Sequence, residues 1–344
     1  VGLFDGLFVG YQANSKWSVS GAAGLPAYTS YSSVSSQQKF GTVTAEFDPF
    51  HQMLVFDTYF FDETTESFTD RRSIGLQTRY FVPGRTIVML VDYDIFFKQL
   101  NSATLIGNAK FGGSWVLGFD ADHRKSPLLL LSNALIGQTA GSLTALQNQY
   151  NPPLTTSQLE QLAIDRTATS NTFDVSATRP FGERWQFTAD VGTEELSGTP
   201  ASGGVSATQS TGLDKNALLQ LTGSSLLQAG DLHIFSLRGD DSSTTRSTTL
   251  SWDARFVLPG AWRLGPRLSV EELNDPSQGG KQTVYLPQLR GDWTNRVSVF
   301  EVIGGYTLTN QQTLEQPASV TGQAQTTSVN ERSLYFSVSY RVRF

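Results

Sequence analysis

The sequence predicts an all-β fold, a transmembrane antiparallel up-and-down β-barrel, from three observations. Segments of about ten residues with alternating apolar and polar side chains recur along nearly the whole chain of 344 residues. The connections between these segments alternate between short turns and longer polar loops. Aromatic residues cluster where the segments meet the short turns. Because no run approaches the roughly eighteen apolar residues of a membrane helix, hydrophobicity is spread over alternate positions instead.

Composition narrows the functional classes before any segment is considered. The chain has no cysteine, which excludes disulfides, thiolate metal sites and cysteine nucleophiles. Its formal net charge is −6, with 39% apolar and 16% charged residues. This mildly acidic balance lacks the basic signature of polyanion binding, so nucleic acid is not an expected partner.

The clearest alternation lies at the end of the chain. One phase is apolar and consists of Phe336, Val338, Tyr340, Val342 and Phe344. The other phase is mainly polar and consists of Tyr335, Ser337, Ser339, Arg341 and Arg343. Such alternation places one face of a strand against an apolar medium and the other against water. In chain order, the same split occurs in residues 73–82, 115–124, 185–192, 250–258 and 285–293.

The connections have two length classes. Short turns are predicted near residues 13–16, 49–51, 82–84, 112–113, 181–183, 228–231, 259–260 and 293–295. Longer loops are predicted near residues 27–40, 62–70, 126–166, 197–215, 239–247, 274–282 and 311–329. The expected aromatic girdle beside the short turns comprises Phe47, Tyr80, Phe81, Phe111, Trp115, Phe181, Trp185, Trp262 and Trp293. Short turns at one rim, longer loops at the other and interfacial aromatics are typical of a membrane barrel whose short side is periplasmic.

The number of strands follows from the segments and from a parity argument. Seventeen segments can be counted, but a bacterial single-chain barrel needs an even number. Because the first segment, about residues 5–12, has the weakest pattern, we predict sixteen strands in one barrel domain over residues 1–344. Eighteen strands are the alternative if a strand preceding Val1 is missing.

Residues 126–166 have a helical pattern and are predicted to be an extracellular insert in the barrel. A capping box is predicted at Ser157–Glu160. The apolar residues assigned to a gating role are Leu128, Leu131, Leu135, Leu146, Leu159 and Leu162. An apolar helical pair has to bury its stripe, so the insert is interpreted as a plug or constriction, as a cap packed on the rim, or as a docking surface for a partner.

Strand phase also assigns charged side chains to the barrel interior. The predicted pore-lining residues are Asp57, Asp92, Asp94, Asp120, Asp122, Arg124, Asp174, Asp190, Asp253, Arg255, Arg267, Arg290, Asp292 and Arg341. Further inward charges are Glu46, Asp48, Arg79, Lys110, Glu194, Arg263, Glu271, Glu301 and Arg343, and candidate aromatic rungs are Tyr59, Phe96 and Tyr335. The whole set has more acids than bases, which predicts a mildly cation-favouring interior. The alternative is that these charges pair with one another and brace the wall.

An enzyme is not predicted. The histidines are His51, His123 and His233. Asp120 and Asp122 share one face of their segment, but alternation turns His123 to the opposite face, so the three side chains do not converge. His233 and Ser236 also fall on opposite faces, which argues against a lipid-facing hydrolase. No histidine cluster has metal-ligand spacing, so neither a metal nor a cofactor is expected.

Two resemblances extend these predictions. The stretch ending in Phe344 resembles the C-terminal assembly signal of Gram-negative outer-membrane proteins, which implies that location. Residues 5–11, Ser126-Pro127, 132–138 and 198–204 resemble the C-terminal barrels of tetratricopeptide-repeat outer-membrane proteins, some of which export exopolysaccharide. This resemblance implies outer-membrane lipid, lipopolysaccharide and a periplasmic helical-repeat scaffold as partners. No 34-residue helical period is present in the chain itself.

The predicted function is therefore transport. We expect a passive export or secretion conduit that is the barrel part of a larger envelope machine. The alternatives are a general diffusion porin for small hydrophilic solutes and a closed barrel that serves as an anchor or docking platform. The position of the insert after the eighth segment lowers the expectation for a trimeric porin, whose constriction loop usually follows an early strand.

Overall fold

The structure is a computed structural model that describes residues 3–27, 35–275, 280–315 and 325–342. These residues form seventeen strands in one antiparallel up-and-down sheet. The strands are β1 (Leu3–Gln12), β2 (Trp17–Ala27), β3 (Gln38–Phe47), β4 (Leu54–Thr65), β5 (Phe68–Val82), β6 (Arg85–Asp94), β7 (Gln99–Phe111), β8 (Trp115–Ser126), β9 (Ala168–Phe181), β10 (Trp185–Leu196), β11 (Gly212–Ser224), β12 (Leu232–Asp241), β13 (Arg246–Val257), β14 (Trp262–Asp275), β15 (Gly280–Thr294), β16 (Ser298–Glu315) and β17 (Gln325–Val342). The all-β, up-and-down prediction is confirmed.

The predicted number of strands was wrong. The weak first segment, predicted near residues 5–12, is the strand β1, which pairs antiparallel with β2 along its whole length. The first segment was discarded to obtain an even number of strands, but that rule applies only to complete barrels. Its pattern, although weak, had already been counted as a strand. Closure of the sheet into a barrel is not shown by the described pairings and stays a prediction.

The chain divides into two compact units. The first contains residues 1–110, 118–174 and 194–212, and the second contains residues 111–117, 175–193 and 213–344. Strands β1 to β7 pair in sequence within the first unit, and strands β11 to β17 pair in sequence within the second. Each unit therefore has its own run of neighbouring strands, with two faces defined by strand alternation.

In the first unit the register separates apolar from charged side chains. Val43, Phe60, Ile74 and Tyr93 are aligned across β3 to β6, and all four side chains are exposed. We call the side on which they lie the apolar face. The opposite side, here called the charged face, contains Asp57 and the side chains in phase with it. The same strands therefore expose hydrocarbon on one side and charge on the other.

The second unit repeats this arrangement. Leu237, Leu250, Val270 and Tyr285 are register partners across β12 to β15 and form a row on the apolar face. The charged face of the same strands carries aligned rows that contain Asp253, Arg263, Arg267, Asp292 and Glu301. Because successive side chains alternate in direction, this separation follows directly from the sequence pattern.

The aromatic residues predicted to form a girdle lie beside the short turns. Trp17 stacks on Phe47 at a ring-centroid distance of 4.4 Å in the first unit. In the second unit Trp262 lies 6.5 Å from Trp293. The rings pair across neighbouring strands on the apolar face, where such pairs add to sheet stability.

Two loops predicted to be long are tight turns. Only residues 66–67 separate β4 from β5, and residues 242–245 separate β12 from β13. Both predictions were wrong because they were based on the polarity of these residues alone. The polar and charged residues at the strand ends continue the backbone hydrogen bonding of the sheet. Parts of the loops predicted near 27–40, 274–282 and 311–329, together with Arg343 and Phe344, lie outside the described residues.

The predicted insert is the main non-strand element in the described part of the chain. It contains a short 3-10 turn at Leu131–Leu135, helix α1 (Leu143–Asn148) and helix α2 (Thr156–Asp165). The capping box was misplaced in the prediction, since Thr155 and Gln158 form it at the start of α2. Among the helices of the described residues, none has both the length and the hydropathy to cross a bilayer.

Candidate functional site

The charged face of β3 to β6 contains a shared ion pair. The Arg79 Nη2 atom lies 2.8 Å from Asp57 Oδ2 and 3.0 Å from Glu46 Oε2. Glu46 and Asp57 are direct register partners, so one guanidinium separates two carboxylates that would otherwise repel each other. Asp57 thus occupies the face predicted for it, and its charge is partly neutralised there.

A second ionic group lies on the same face, closer to the longer loops. The Arg71 Nη2 atom is 2.7 Å from Asp92 Oδ2, and the Tyr59 hydroxyl donates to the same oxygen. The Tyr59 ring lies over Gly75, its register partner, because glycine has no side chain to occupy that space. The Asp92 side chain is only 3% exposed, so its charge is buried and is compensated by Arg71.

On β7 and β8 the charged face carries a third group. Asp122 accepts a hydrogen bond from the Thr104 hydroxyl at 2.6 Å and one from Arg124 Nη2 at 2.6 Å. His123 lies on the other phase of β8, and its Nδ1 is 2.7 Å from the Asn171 side-chain oxygen. His123 therefore points away from Asp122, as strand alternation predicts.

A cavity lies on the charged face of the second unit. It has a volume of about 700 Å³ and is lined by the arginines Arg255, Arg263, Arg267, Arg290 and Arg341. The carboxylates that line it are Asp253, Asp292 and Glu301. Six of the predicted pore-lining residues meet here, because strand alternation and register bring them to one surface: Asp253, Arg255, Arg267, Arg290, Asp292 and Arg341.

Ion pairs in this cavity leave part of the positive charge uncompensated. Arg267 lies 3.4 Å from Asp253, and Arg290 contacts both Asp292, at 3.7 Å, and Glu301. Arg263 lies 3.8 Å from Asp292. Within the described residues, Arg255 and Arg341 have no carboxylate at ion-pair distance. The charged face of this unit is therefore locally basic.

The remaining predicted pore-lining aspartates lie on β6 and on β8 to β10. Asp120, Asp174 and Asp190 are half-buried on β8, β9 and β10. Asp94 is fully buried at the end of β6, where its carboxylate accepts the backbone N–H groups of Phe96 at 2.8 Å and Phe97 at 2.9 Å. Asp94 thus shapes the turn after β6. Phe96, predicted as an inward strand residue, instead lies in this turn and packs against the insert.

The insert has a hydrophobic core of its own. Of the leucines assigned to gating, Leu131, Leu146, Leu159 and Leu162 are buried in this core, and Leu135 packs against it. Leu128 is 40% exposed. Phe97 from the turn after β6 is also in the core, so the insert packs on the rim of the first unit. Whether the insert gates a pore stays a prediction.

Buried polar contacts attach the insert to the strands. The Asp70 carboxylate accepts the backbone N–H of Ser132 at 2.7 Å and the Thr65 hydroxyl at 2.8 Å. The Asn101 side-chain oxygen accepts the Leu129 N–H at 3.2 Å. Sequence reasoning missed Asp70 and Asn101, because their partners are distant in the chain and no local spacing marks them.

Glu66 caps helix α1 from the turn between β4 and β5. Its carboxylate accepts the N–H groups of Leu143 and Thr144, each at 3.0 Å. Burial by itself raises the pKa of the Glu66 carboxyl, but the two N–H donors outweigh it and hold the pKa below its ordinary value. The negative charge therefore contributes to fixing the insert, since helix N-termini favour anions.

The loop that follows β10 holds the other side of the insert. Gln138 donates to the Gly203 carbonyl at 2.7 Å, and the Ser202 hydroxyl donates to Asp165 at 2.7 Å. Arg166 donates to the carbonyls of Ala134 and Ser202. The insert is thus held in place by contacts on at least two sides.

A buried polar group also lies at a short turn of the second unit. The Asp231 carboxylate accepts the N–H groups of Leu226, Leu227 and Gln228 at 2.7–2.8 Å. Burial opposes ionisation, but these donors lower the pKa of Asp231 to about 2. His233 on the apolar face lies 3.5 Å from Asp231 and accepts from the Trp252 indole. This group closes the turn.

The described part of the chain contains no group of side chains arranged as metal ligands. Within residues 3–27, 35–275, 280–315 and 325–342, no three histidine, aspartate or glutamate side chains are arranged to hold a metal ion.

Comparisons with known proteins give fold-level likenesses only. No protein-family model matches the chain, and no curated protein matches its sequence. Among solved structures, a bacterial polysaccharide outer membrane secretin is similar at a TM-score of 0.35 and 12% identity, over 96% of this chain and 98% of that one. OmpT, an outer membrane protein of Vibrio cholerae in its trimer form, is similar at a TM-score of 0.40 and 10% identity, over 98% of this chain and 99% of that one. Likenesses this weak carry no argument about function.

Proposed function

We propose that this protein is an outer-membrane pore of a Gram-negative bacterium that acts as a passive export or secretion conduit for hydrophilic material. The observation that carries the proposal is the separation of the two faces within single strands. On β13, Leu250 is 60% exposed on the apolar face, while Asp253 and Arg255 lie on the charged face. Lipid on one side and water on the other stabilise both sets of side chains at once.

The exposed apolar surface supports a membrane location. Water-soluble proteins rarely expose large continuous apolar patches, because each square ångström left in water costs about 25 cal/mol. Here the exposed apolar side chains recur on one face of strand after strand in each unit. Outer-membrane lipid and lipopolysaccharide are accordingly the proposed partners of the apolar face.

The charged face supports passive transport. Ion pairs such as Arg79–Asp57 hold the wall in a fixed arrangement, and the exposed arginines of the second unit keep it hydrated. A hydrated wall with fixed charges lets a polar molecule pass without binding tightly. A periplasmic helical-repeat scaffold remains part of the proposal as the partner that would deliver the exported molecule.

The basic test is electrical. The refolded protein in a planar lipid bilayer is expected to give discrete conductance steps. A variant lacking residues 127–165 is expected to give larger steps if the insert restricts the opening. An absence of conductance in both proteins would contradict transport and favour an anchor or docking platform.

A flux assay separates the two kinds of pore. Liposomes containing the protein are loaded with dextran oligosaccharides of increasing length, and their release is followed. An export conduit is expected to release long chains, whereas a general diffusion porin would release only the short ones. Retention of all long chains would contradict the export role while leaving the pore itself intact.

A further inference from the structure

We propose that the arginine cluster of the second unit is a binding site for oxyanions, carboxylate or phosphate, carried by the transported molecule. The cluster consists of Arg255, Arg263, Arg267, Arg290 and Arg341 around the cavity of about 700 Å³. This inference rests on the proposed pore function and adds the charge class of the substrate. It differs from the cation-favouring interior that the sequence predicts.

The local charge balance of the cavity is positive. Five guanidinium groups and three carboxylates line the cavity, which leaves an excess of two positive charges. The three carboxylates are all engaged by Arg263, Arg267 or Arg290. Among the described residues, Arg255 and Arg341 have no acidic partner, so their charge is available to an anion.

The guanidinium groups of the cluster are accessible to solvent. The side chains of Arg263, Arg267 and Arg290 are 41%, 51% and 53% exposed, although each is in an ion pair. The ion-paired Arg71 of the first unit, by contrast, is only 14% exposed. The cluster is thus presented to the cavity, not packed into the wall.

The chemistry of arginine side chains also favours an oxyanion as the ligand. Guanidinium groups offer planar, paired N–H donors that match the two oxygens of a carboxylate or phosphate. They remain charged at every physiological pH, so the site needs no titration to work. The ion pairs Arg267–Asp253, at 3.4 Å, and Arg290–Asp292, at 3.7 Å, are loose enough for a competing oxyanion to replace a wall carboxylate.

The test compares two double variants of the full chain. R255Q/R341Q removes the two unpaired arginines of the cavity. R238Q/R246Q is the matched control, because it removes the same charge from two arginines that pair with Asp240 and Asp241 near the turn after β12. Circular dichroism and heat-modifiable migration on gels show that each variant is folded.

The first readout is ion selectivity in a KCl gradient across a planar bilayer. The unaltered protein is expected to favour chloride, and R255Q/R341Q is expected to lower the chloride-to-potassium permeability ratio by about threefold or more. The control is expected to change it less. A conducting protein that favours potassium, or equal shifts in both variants, would overturn the oxyanion site without affecting the proposed pore function.

The second readout needs no conductance. Calorimetric titration of the protein in detergent uses two probes, inorganic phosphate and an oligogalacturonate. Binding of either probe that is lost in R255Q/R341Q and kept in the control supports the site, and the probe that binds more tightly identifies phosphate or carboxylate as the source. No binding of either probe to the unaltered protein overturns it. A protein that binds a probe but never conducts would instead count against the proposed function alone.

Discussion

At the residue scale, small side chains determine where large ones can go. Tyr59 reaches Asp92 only because Gly75 lies opposite it across β4 and β5. The hydroxyl helps Arg71 to compensate a carboxylate that is nearly excluded from water. An unpaired carboxylate in that position would be strongly unfavourable, so the glycine stabilises the ionic group indirectly.

A substitution at Gly75 tests this arrangement. A methyl group at residue 75 would overlap the Tyr59 ring, so Gly75→Ala should displace the ring and remove its hydrogen bond to Asp92. We expect a loss of about 1–3 kcal/mol in the free energy of unfolding, measured by urea titration of tryptophan fluorescence. Gly41→Ala on β3 is the control, because a methyl group there meets no atom within 4 Å. Equal effects of the two variants would show that the Tyr59 contact contributes nothing.

Glu66 gives a pH-dependent prediction at the same scale. Its pKa is lower in the folded state than the ordinary value of 4.5. Its contribution is therefore complete above that ordinary pKa and is lost as the pH falls through the lower, folded pKa. We expect the hydrogen-exchange protection factors of α1, which correct for the intrinsic pH dependence of exchange, to fall in acid in the unaltered protein. Glu66→Gln should lower these protection factors already at neutral pH and remove their fall in acid.

Glu160→Gln is the matched control for Glu66. This residue lies in α2 of the same insert, and burial raises the pKa of its carboxyl. Loss of its charge should therefore not accelerate exchange in α1 at neutral pH. If Glu66→Gln left α1 as protected as in the unaltered protein, the capping role of Glu66 would be wrong.

At the element scale, the insert is stabilised by packing much more than by helix propensity. Helix α1 has only 6 residues and α2 has 10, which is too short for stability in isolation. Their apolar residues share one core with Phe97 from the turn after β6. Buried bonds to Asp70 and Asn101 then fix the position of this core on the rim.

Truncation of one core leucine tests this account. Leu146 is fully buried, so Leu146→Ala should destabilise the insert by about 3 kcal/mol through lost burial and the cavity left behind. Leu128→Ala is the control, since Leu128 is 40% exposed and its truncation should cost much less. Limited proteolysis between residues 127 and 166 measures the difference. Cleavage that rises equally in both variants would contradict a core centred on Leu146.

At the scale of the whole molecule, one alternating pattern recurs in both units and gives each an apolar and a charged face. The pattern predicts that a charged substitution destabilises the protein at a position on the apolar face and has little effect at the next position, on the charged face. Leu250 and Ser251 are consecutive on β13, and their register partners are Leu237 and Ser236 respectively. One side chain therefore faces the proposed lipid, and the next faces the proposed aqueous interior.

Leu250→Arg and Ser251→Arg form the corresponding experiment. Leu250→Arg should lower the unfolding free energy in lipid vesicles by about 2–4 kcal/mol, because arginine is unfavourable against hydrocarbon. Ser251→Arg should have a smaller effect, since its side chain lies beside other polar groups on β12 and β13. Reversible urea unfolding measures both values. A larger loss for Ser251→Arg than for Leu250→Arg would place the wrong face against lipid.

The sequence by itself determined the strands, the two faces, the positions of most turns and the location of the helical insert. Each of these depends on a period of two or on a local composition, so neighbouring residues contain the information. It also placed Asp57, Asp92 and Asp253 on the charged face, because strand phase alone sets side-chain direction. It misjudged the strand number only where a rule about whole barrels replaced the pattern of β1.

Only the tertiary structure decided which charges meet. Arg255 and Arg341 come from β13 and β17, and they line one cavity because four successive strand pairings bring them there. The anchoring of the insert by Asp70 and Asn101 likewise joins residues far apart in the chain. The physical reason is that alternation is fixed by the chirality and geometry of each strand, whereas register is fixed by contacts between strands. The number of acidic and basic residues can be counted from a sequence. A local excess of one charge, by contrast, exists only after the register of the strands has brought particular residues together.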